Sequence, residues 1–332
     1  MTEHRVQNAL GAAFEGVDAS LPPPGVALYR GKVRDVLGKG QRVLLVASDR
    51  ISAFDRVLSS IPWKGEVLAR VSSWWFEQTS DIMPNHILKP ADCGGLDVLA
   101  ATGRAVAARR CDMLPVELVV RGYLTGSAWR DYKAGRPVSG LSLPGGLRYN
   151  ERFPAPIVTP STKEASGHDK PCSGQDLVAS GAIDAELWRE VERSALALFA
   201  RGQELAGARG LILVDTKYEF GLADGRLLVA DEMHTPDSSR YWYAEGYASR
   251  LAAGDQQREL DKETFRRWLV EHGFSGDGPS PLIDDAVRAA TALRYFEAYH
   301  ALLGDEFEPI CADAQAAERA LASSLRGVFT PS

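Results

Sequence analysis

The stretch from residue 211 to residue 242, LILVDTKYEFGLADGRLLVADEMHTPDSSRYW, begins as an apolar β-strand and then places a charge at every second position. Alternate side chains of a strand share one face of the sheet, so Asp215, Lys217 and Glu219 are predicted to project together. The apolar residues between them face the other way, and a turn then returns the chain as a second strand. One face of this hairpin is therefore predicted to be a polar site.

The place of Asp231 depends on the length of that turn. A two-residue loop would pair Tyr218 with Asp231 and turn the carboxylate of Asp231 away from the polar face. A three-residue loop, residues 224–226, would instead pair Glu219 with Asp231. Two adjacent carboxylates need a cation or a proton between them, and Mg²⁺ binds through one or two carboxylates, waters and phosphates. The second register predicts an Mg²⁺ site at Glu219 and Asp231, whereas charge on a hairpin alone favours a solvated face with a Lys217–Glu219 ion pair.

Composition describes an ordinary globular protein, because 45% of the 332 residues are hydrophobic and 25% are charged. This length predicts two lobes or one large α/β unit. The formal net charge of −6 argues against nucleic acid or an anionic membrane surface as a partner. The four cysteines form no CxxC pair, and no apolar run reaches the length of a membrane span, so a reduced, cytoplasmic protein is predicted.

The rest of the chain predicts a mixture of strands and helices. Two strands flank the turn GKGQ within residues 26–50, a helix covers 66–80, and further strands cover 104–123. Residues 134–182 are rich in Gly, Pro, Ser and Thr and are predicted to form a long irregular, functional segment. Helices are predicted from Asp184 to about residue 210, over 261–273 and over 283–303.

Two further clusters suggest anion binding. GKVRDV places Lys32 and Arg34 on one face of a predicted strand after Gly31, whose backbone can approach a ligand closely. An edge strand guarded by cations explains this pattern equally well. VVRGYLTGSAWRDYK places Arg121 and Ser127 around two glycines at a predicted helix start, where an anion can rest.

Six motifs together resemble the SAICAR synthetase family, in the order in which that family carries them: YRGKVRDV, ASDRISAFD, RGYLTGSAW, TPSTKEASGHD, DTKYEFG and DEMHTPDSSRYW. They run from residue 29 to residue 242. After the His-Asp pair of the fourth motif the family pattern continues with Glu-Asn, whereas Lys170 and Pro171 follow here.

The resemblance implies a ligase of purine biosynthesis that joins the carboxylate of CAIR to the amino group of L-aspartate, while ATP becomes ADP and phosphate. It implies ATP and Mg²⁺ as cofactors and an acyl phosphate as the intermediate. The implied fold is a two-lobed α+β protein, related to ATP-grasp and kinase-like nucleotide clamps, with C-terminal helices. Residues 1–118 would form a β-rich ATP lobe and residues 119–332 a larger lobe for substrate and metal. A monomer or a homodimer is expected.

The resemblance also assigns roles by motif position. Three residues are expected to contact the ATP phosphates: Gly31, Lys32 and Arg34. Two carboxylates are expected to bind Mg²⁺: Glu219 and Asp231. Residues expected at CAIR or aspartate are Asp55, Lys64, Arg121, Ser127, His168 and Arg240. Asp215, Lys217 and Arg240 are expected at the reacting groups.

Two alternatives share part of this pattern. A small-molecule phosphotransferase would use Lys32, Glu219 and Asp231 but would not require a second anion site at Arg121 and Arg240. A non-catalytic nucleotide-binding module would tolerate the loss of Asp231.

Overall fold

The computed structural model of the chain describes residues 3–163, 170–260 and 262–329. Helices in this part of the chain are α1 (Glu3–Ala9), α2 (Lys64–Gln78), α3 (Val98–Thr102), α4 (Gly126–Lys133), α5 (Gly174–Ala179), α6 (Ala185–Gly207), α7 (Tyr247–Ala253), α8 (Glu263–Glu271), α9 (Asp285–Leu303) and α10 (Ala314–Phe329). Strands are β1 (Ala27–Arg30), β2 (Arg34–Lys39), β3 (Arg42–Ala47), β4 (Arg50–Ala53), β5 (Arg56–Ser60), β6 (Ala105–Arg109), β7 (Asp112–Tyr123), β8 (Arg152–Thr162), β9 (Lys170–Pro171), β10 (Leu211–Ala223), β11 (Arg226–Ala230) and β12 (Ser239–Tyr243). The predicted α+β class with C-terminal helices is confirmed.

The chain forms two compact units. The first comprises residues 1–74, 86–110 and 261–332, and the second comprises residues 75–85 and 111–260. These units differ from the predicted lobes 1–118 and 119–332, chiefly because the C-terminal segment packs within the first unit. The division into an ATP lobe and a substrate lobe remains a prediction.

The first unit is built on an antiparallel sheet of order β1-β2-β3-β6, beside a separate β4–β5 hairpin. Strands β2 and β3 join through the predicted turn, with Lys39 opposite Arg42. The amphipathic helix α10 was not predicted, and its buried leucines Leu321 and Leu325 pack into the core formed by β2, β3 and β6. Burying such leucines contributes about 1.5–3 kcal/mol each, which is why the end of the chain belongs to this unit.

The second unit is built on an antiparallel sheet of order β11-β10-β7-β8-β9, and β12 pairs with β10 on the side away from β7. Helix α6 packs on this sheet through a stripe that includes Val191, Leu198 and Phe199. Asp184 caps the helix by accepting hydrogen bonds from the backbone of Glu186 and Leu187, as predicted. The long central strand β10 therefore has a helix-covered apolar face and an opposite face that carries charge.

The predicted irregular segment 134–182 is wrong in part, because it contains the eleven-residue strand β8. Its prolines hid the strand pattern, since proline lacks the donor that a ladder needs. Pro154 and Pro156 lie where the pairing with β7 shifts register, between Ile157 and Arg152. Bulged positions tolerate proline, so the strand survives them.

None of the described helices combines the length and the apolar character that crossing a bilayer requires.

Candidate active site

The charged face of the second unit's sheet is assembled from alternate positions of neighbouring strands. Strand β10 contributes the three residues predicted to share a face, and contacts of their side chains extend to β7, β8 and β12. Residues of this polar face are Glu117, Arg121, Thr159, Ser161, Lys163, Asp215, Lys217, Glu219 and Arg240. These side chains share one face because alternate residues of a strand point to the same side of the sheet. They form two charged groups.

The first group, called here the paired-arginine site, consists of Arg121, Asp215, Arg240 and Ser127. The Asp215 carboxylate lies directly between the arginines of the two flanking strands. Its Oδ2 is 2.5 Å from Nη1 of Arg240 and 3.3 Å from Nη1 of Arg121. Arg121 also donates to Oγ1 of Thr159 at 3.0 Å and to Oγ of Ser127 at 3.1 Å.

The paired-arginine site carries more positive than negative charge. Burial lowers the pKa of Arg121, and the nearby Asp215 works in the opposite direction. A guanidinium nevertheless stays protonated in proteins, so two cations face one carboxylate. An anion with several oxygens, such as a phosphate, would complete this charge balance and use the guanidinium donors.

Helix α4 begins beside this site. Gly126, its first residue, has φ of 57°, a left-handed conformation that favours glycine. A Cβ at Gly126 would lie 2.6 Å from Nη2 of Arg240, so a larger residue would collide with the guanidinium. Ser127 follows in the first turn of the helix. The glycine thus allows an arginine and a helix start to approach one another, which is favourable for an anion.

The second group, called here the lysine–glutamate site, consists of Glu117, Lys163, Lys217 and Glu219. Nζ of Lys217 is 2.5 Å from Oε1 of Glu219 and 3.4 Å from Oε2 of Glu117. Lys163 makes an ion pair with the other oxygen of Glu219. Glu117 and Glu219 are direct partners across β7 and β10. Two carboxylates placed opposite each other repel, and the ammonium groups offset this repulsion.

Of the two registers considered for the β10–β11 hairpin, the structure has the one with the two-residue turn, so Glu219 does not lie opposite Asp231 as the predicted Mg²⁺ site required. Glu219 pairs with Ala230, and Ala223 pairs with Arg226 across a two-residue turn. Both turn residues have positive φ, 50° at Asp224 and 73° at Gly225, as a type I′ turn requires. The twist of a type I′ Asp-Gly turn matches the twist of the strands that it joins. This match favours the two-residue turn, and the turn length sets the register.

Asp231 nevertheless belongs electrostatically to the lysine–glutamate site. It follows the last residue of β11 and has φ of 66°, which ends the strand's alternation of side chains. Burial alone would lower the pKa of Lys217, but the charges of Glu219, Asp231 and Glu117 raise that pKa above its ordinary value. Asp231 therefore acts on the charge of Lys217 although it does not lie opposite Glu219 in the ladder.

The lysine–glutamate site carries excess negative charge, since three carboxylates act on two ammonium groups. Among the residues described, no group of three or more His, Cys, Asp or Glu side chains is arranged to hold a metal ion alone. Mg²⁺ commonly uses only one or two protein carboxylates and takes its other ligands from water and phosphate. The donor set therefore fits an ion that arrives with a nucleotide.

The predicted phosphate residues of the first unit occupy a tight turn. Lys32 lies between β1 and β2 rather than on a strand, and Arg34 begins β2. The amide of Gly31 donates to the carbonyl of Arg34 at 2.8 Å, and a Cβ at Gly31 would lie 2.7 Å from that oxygen. Glycine is therefore required by the turn itself. Nζ of Lys32 is 2.5 Å from Oδ1 of Asp55, which joins two predicted site residues in an exposed ion pair.

Lys64 is completely buried at the start of helix α2, with its Nζ 5.6 Å from the centre of the Tyr295 ring. Burying an ammonium group at the positive end of a helix is unfavourable, and the expected role of Lys64 at CAIR or aspartate remains a prediction. A buried ionic cluster fixes this helix end. Arg104 is 3.0 Å from Asp49 and 3.7 Å from Glu66, and Asp49 accepts from the backbone of Gly65.

Two residues of the lysine–glutamate site, Glu117 and Lys163, were not predicted as site residues. Glu117 lies four residues before Arg121 on the same face of β7, so the period of two contained a signal for it. Lys163 follows a strand that proline concealed. The predicted contact of His168 lies outside the described residues.

Comparisons with known proteins agree on one family. A protein-family model described as SAICAR synthetase matches residues 27–279. The phosphoribosylaminoimidazole-succinocarboxamide synthase of Cytophaga hutchinsonii is 44% identical over 290 residues, covering 86% of this chain and 90% of that protein. The enzyme of the same name from Bacteroides thetaiotaomicron is 45% identical over 291 residues, with the same coverage. The structure of the SAICAR-synthase from Saccharomyces cerevisiae, complexed with SAICAR, superimposes with a TM-score of 0.74 and 31% identity, covering 90% of this chain and 100% of that one.

Proposed function

The chain belongs to the SAICAR synthetase family, and from that premise we propose that its two charged sites serve opposite ends of one ligase reaction. It is a carbon–nitrogen ligase of purine biosynthesis that joins CAIR to L-aspartate. Because the chain belongs to this family, the two alternative functions, a phosphotransferase and a non-catalytic nucleotide-binding module, are rejected. We propose that the chain uses ATP and Mg²⁺, and we propose a role for each site residue.

The chemistry requires the CAIR carboxylate to be activated, because a carboxylate is a poor electrophile. An oxygen of the carboxylate attacks the γ-phosphorus of ATP, and the bond to the bridging oxygen breaks to release ADP. The nitrogen of aspartate then attacks the acyl carbon, and the C–O bond breaks so that phosphate leaves with the electron pair. The amine loses a proton as the amide forms. Positioning and electrostatic stabilisation account for most of such catalysis.

The paired-arginine site is proposed to hold the ribose phosphate of CAIR. Arg121 and Arg240 supply guanidinium donors, and Ser127 supplies a hydroxyl at the start of α4. Asp215 positions both guanidinium groups through its bonds to them. The yeast relative was solved with SAICAR bound, and a ligand of that kind fits an anion site of this charge.

The lysine–glutamate site is proposed to act at the phosphates of ATP. Glu219 and Asp231 would hold Mg²⁺, which when bound neutralises charge developing on the transferred phosphoryl group. Lys217 holds Glu219 in place and presents an ammonium group toward phosphate oxygens. Lys163 and Glu117 orient the same pair from the neighbouring strands.

One observation carries this division of roles: both sites lie on the same face of strand β10. Asp215 and Glu219 are four residues apart, which is roughly 13 Å along a strand. A substrate with a phosphate at one end and a reacting carboxylate at the other suits two sites with this spacing. Lys32, Arg34, Asp55 and Lys64 belong to the first unit, and their predicted contacts with ATP, CAIR or aspartate remain predictions.

The consumption of ATP is tested by measuring ADP release with Mg-ATP and CAIR, in the presence and absence of L-aspartate. Mass spectrometry of the same samples measures the succinocarboxamide. We expect one ADP for each product molecule, and both should depend on aspartate. Product formed without ADP release would overturn the proposed use of ATP, and ADP release without product would overturn its coupling to ligation. A cytoplasmic location and a monomeric or homodimeric state remain predictions.

A further inference from the structure

His234 is a completely buried histidine on the apolar side of the sheet, opposite the polar face. Its Nε2 is 2.5 Å from the hydroxyl of Tyr218, which is also completely buried. Tyr218 lies between Lys217 and Glu219 in β10, so its side chain points away from theirs. The Tyr218–His234 bond therefore lies behind the lysine–glutamate site, one residue removed from it along the strand.

The backbone around His234 is unusual. His234 has φ of 54° and Asp231 has φ of 66°, both in the left-handed region that residues other than glycine rarely adopt. Such conformations persist only where the surrounding structure holds them. The carbonyl of His234 accepts a hydrogen bond from the hydroxyl of Tyr241 at 2.8 Å. The segment that carries Asp231 is thus held at His234 through both its side chain and its backbone.

The packing around the imidazole is close and specific. The ring of Trp75 meets it edge to face, with ring centres 4.6 Å apart. A Cβ at Gly202 of helix α6 would lie 2.5 Å from Cε1 of His234, so the helix approaches closely only because this residue is glycine. Burial lowers the pKa of His234 to about 3, and the ring is therefore neutral in the physiological range.

A neutral imidazole has one N–H donor and one acceptor nitrogen. Tyr218 occupies Nε2, whereas Nδ1 is buried without a hydrogen-bond partner among the residues described. An unsatisfied buried polar atom costs free energy that an apolar side chain would avoid. A buried histidine with this free-energy cost, next to left-handed backbone, indicates a role beyond core packing.

We propose that Tyr218 and His234 form a positioning pair that fixes residues 231–234, whose first and last residues have left-handed backbone, and thereby places the Asp231 carboxylate in the lysine–glutamate site. This inference rests on the proposed function of the lysine–glutamate site. Neither residue touches the reacting atoms, because both lie on the opposite side of the sheet. Tyr218 acts through the backbone of β10, and His234 acts through the backbone of the segment that follows β11.

The test uses Tyr218→Phe, which removes the hydroxyl and keeps the ring. Tyr247→Phe is the matched control, because the Tyr247 hydroxyl donates to the carbonyl of Asn150 at 2.9 Å elsewhere in the same unit. Calorimetry measures the dissociation constants of Mg-ADP and of CAIR for both variants. Tyr218→Phe should weaken Mg-ADP binding about 2- to 12-fold, the loss of one hydrogen bond, and leave CAIR binding unchanged. Tyr247→Phe should change neither constant.

Hydrogen exchange of the ligand-free protein provides a second readout. Backbone amides of residues 231–235 should exchange faster in Tyr218→Phe than in Tyr247→Phe. His234→Asn keeps a residue that tolerates left-handed backbone but shortens the side chain, and it should act non-additively with Tyr218→Phe. Equal exchange and equal Mg-ADP affinity in Tyr218→Phe and Tyr247→Phe would overturn the positioning role.

Glu219→Gln distinguishes failure of the positioning pair from failure of the proposed nucleotide site. If Glu219→Gln weakens Mg-ADP binding while Tyr218→Phe does not, the positioning pair is refuted and the nucleotide site stands. If Glu219→Gln leaves Mg-ADP affinity unchanged, the nucleotide assignment is refuted, and the positioning proposal falls with it.

Discussion

Replacing Arg240 by alanine is expected to lower kcat/KM for CAIR by about 100- to 1,000-fold, because a charge-assisted bond to an anion contributes roughly 1.5–3 kcal/mol and more than one is lost. The KM for ATP should stay within about twofold, the size of a surface effect. Asp215 would retain Arg121 as its partner at 3.3 Å, so the fold should survive the substitution. Steady-state kinetics with each substrate varied in turn measures both constants.

Two controls separate charge, geometry and general damage in this experiment. Arg240→Lys keeps the positive charge but loses the planar fork of donors, and we expect an intermediate loss of CAIR kcat/KM. Arg193→Ala removes an exposed arginine from helix α6 and should leave all constants unchanged. If Arg240→Ala raises the KM for ATP as much as it lowers kcat/KM for CAIR, the assignment of this arginine to CAIR is wrong.

Replacing Glu219 by glutamine is expected to lower kcat by about 100- to 1,000-fold, a loss typical of removing one preorganised charged group from a phosphoryl-transfer site. Glutamine has nearly the same shape but provides a poorer metal ligand and a neutral partner for Lys163 and Lys217. Initial rates over a range of Mg²⁺ concentrations measure the effect. We expect a higher requirement for Mg²⁺ together with an unchanged KM for CAIR.

The control for this substitution is Glu190→Gln, which neutralises an exposed carboxylate on helix α6. It should leave both kcat and the dependence on Mg²⁺ unchanged. An unchanged Mg²⁺ requirement in Glu219→Gln, at whatever kcat, would contradict the metal role of Glu219. Asp231→Asn should reproduce the Glu219→Gln phenotype if both carboxylates serve the same ion.

The sequence predicted the charged strand well, because a period of two is a local property that packing preserves. Asp215, Lys217 and Glu219 do share a face. Arg121 and Arg240 were each predicted as site residues, but their ion pairs with Asp215 were not predicted. The predicted strand and helix positions around them are also present. Six motifs in order identified the family, although no single motif was specific.

The register of the hairpin was predictable, and the consequence for Asp231 was not. Asp224 and Gly225 form a two-residue type I′ turn, the preferred turn for an Asp-Gly pair. That register alone would have turned Asp231 away from Lys217. The left-handed backbone at Asp231 is held by contacts distant in sequence, and no local pattern encodes such contacts.

Other features depended on tertiary context in the same way. Pro154 and Pro156 concealed strand β8 because the bulge that accommodates them exists only in the paired sheet. Lys163 and Glu117 were missed as site residues because their importance comes from contacts with β10. Gly31 was predicted to let the backbone approach a ligand closely. The structure requires glycine there because a Cβ would collide with the carbonyl oxygen of Arg34.

The division of roles between the two charged sites is tested most directly by calorimetric binding measurements on two variants. We expect Arg240→Ala to bind Mg-ATP with the affinity of the unmodified protein and to lose most of its affinity for CAIR. Glu219→Gln should bind CAIR normally and lose most of its affinity for Mg-ATP. If both variants lose both ligands equally, or if the pattern is reversed, the two sites on β10 do not divide the reaction as proposed.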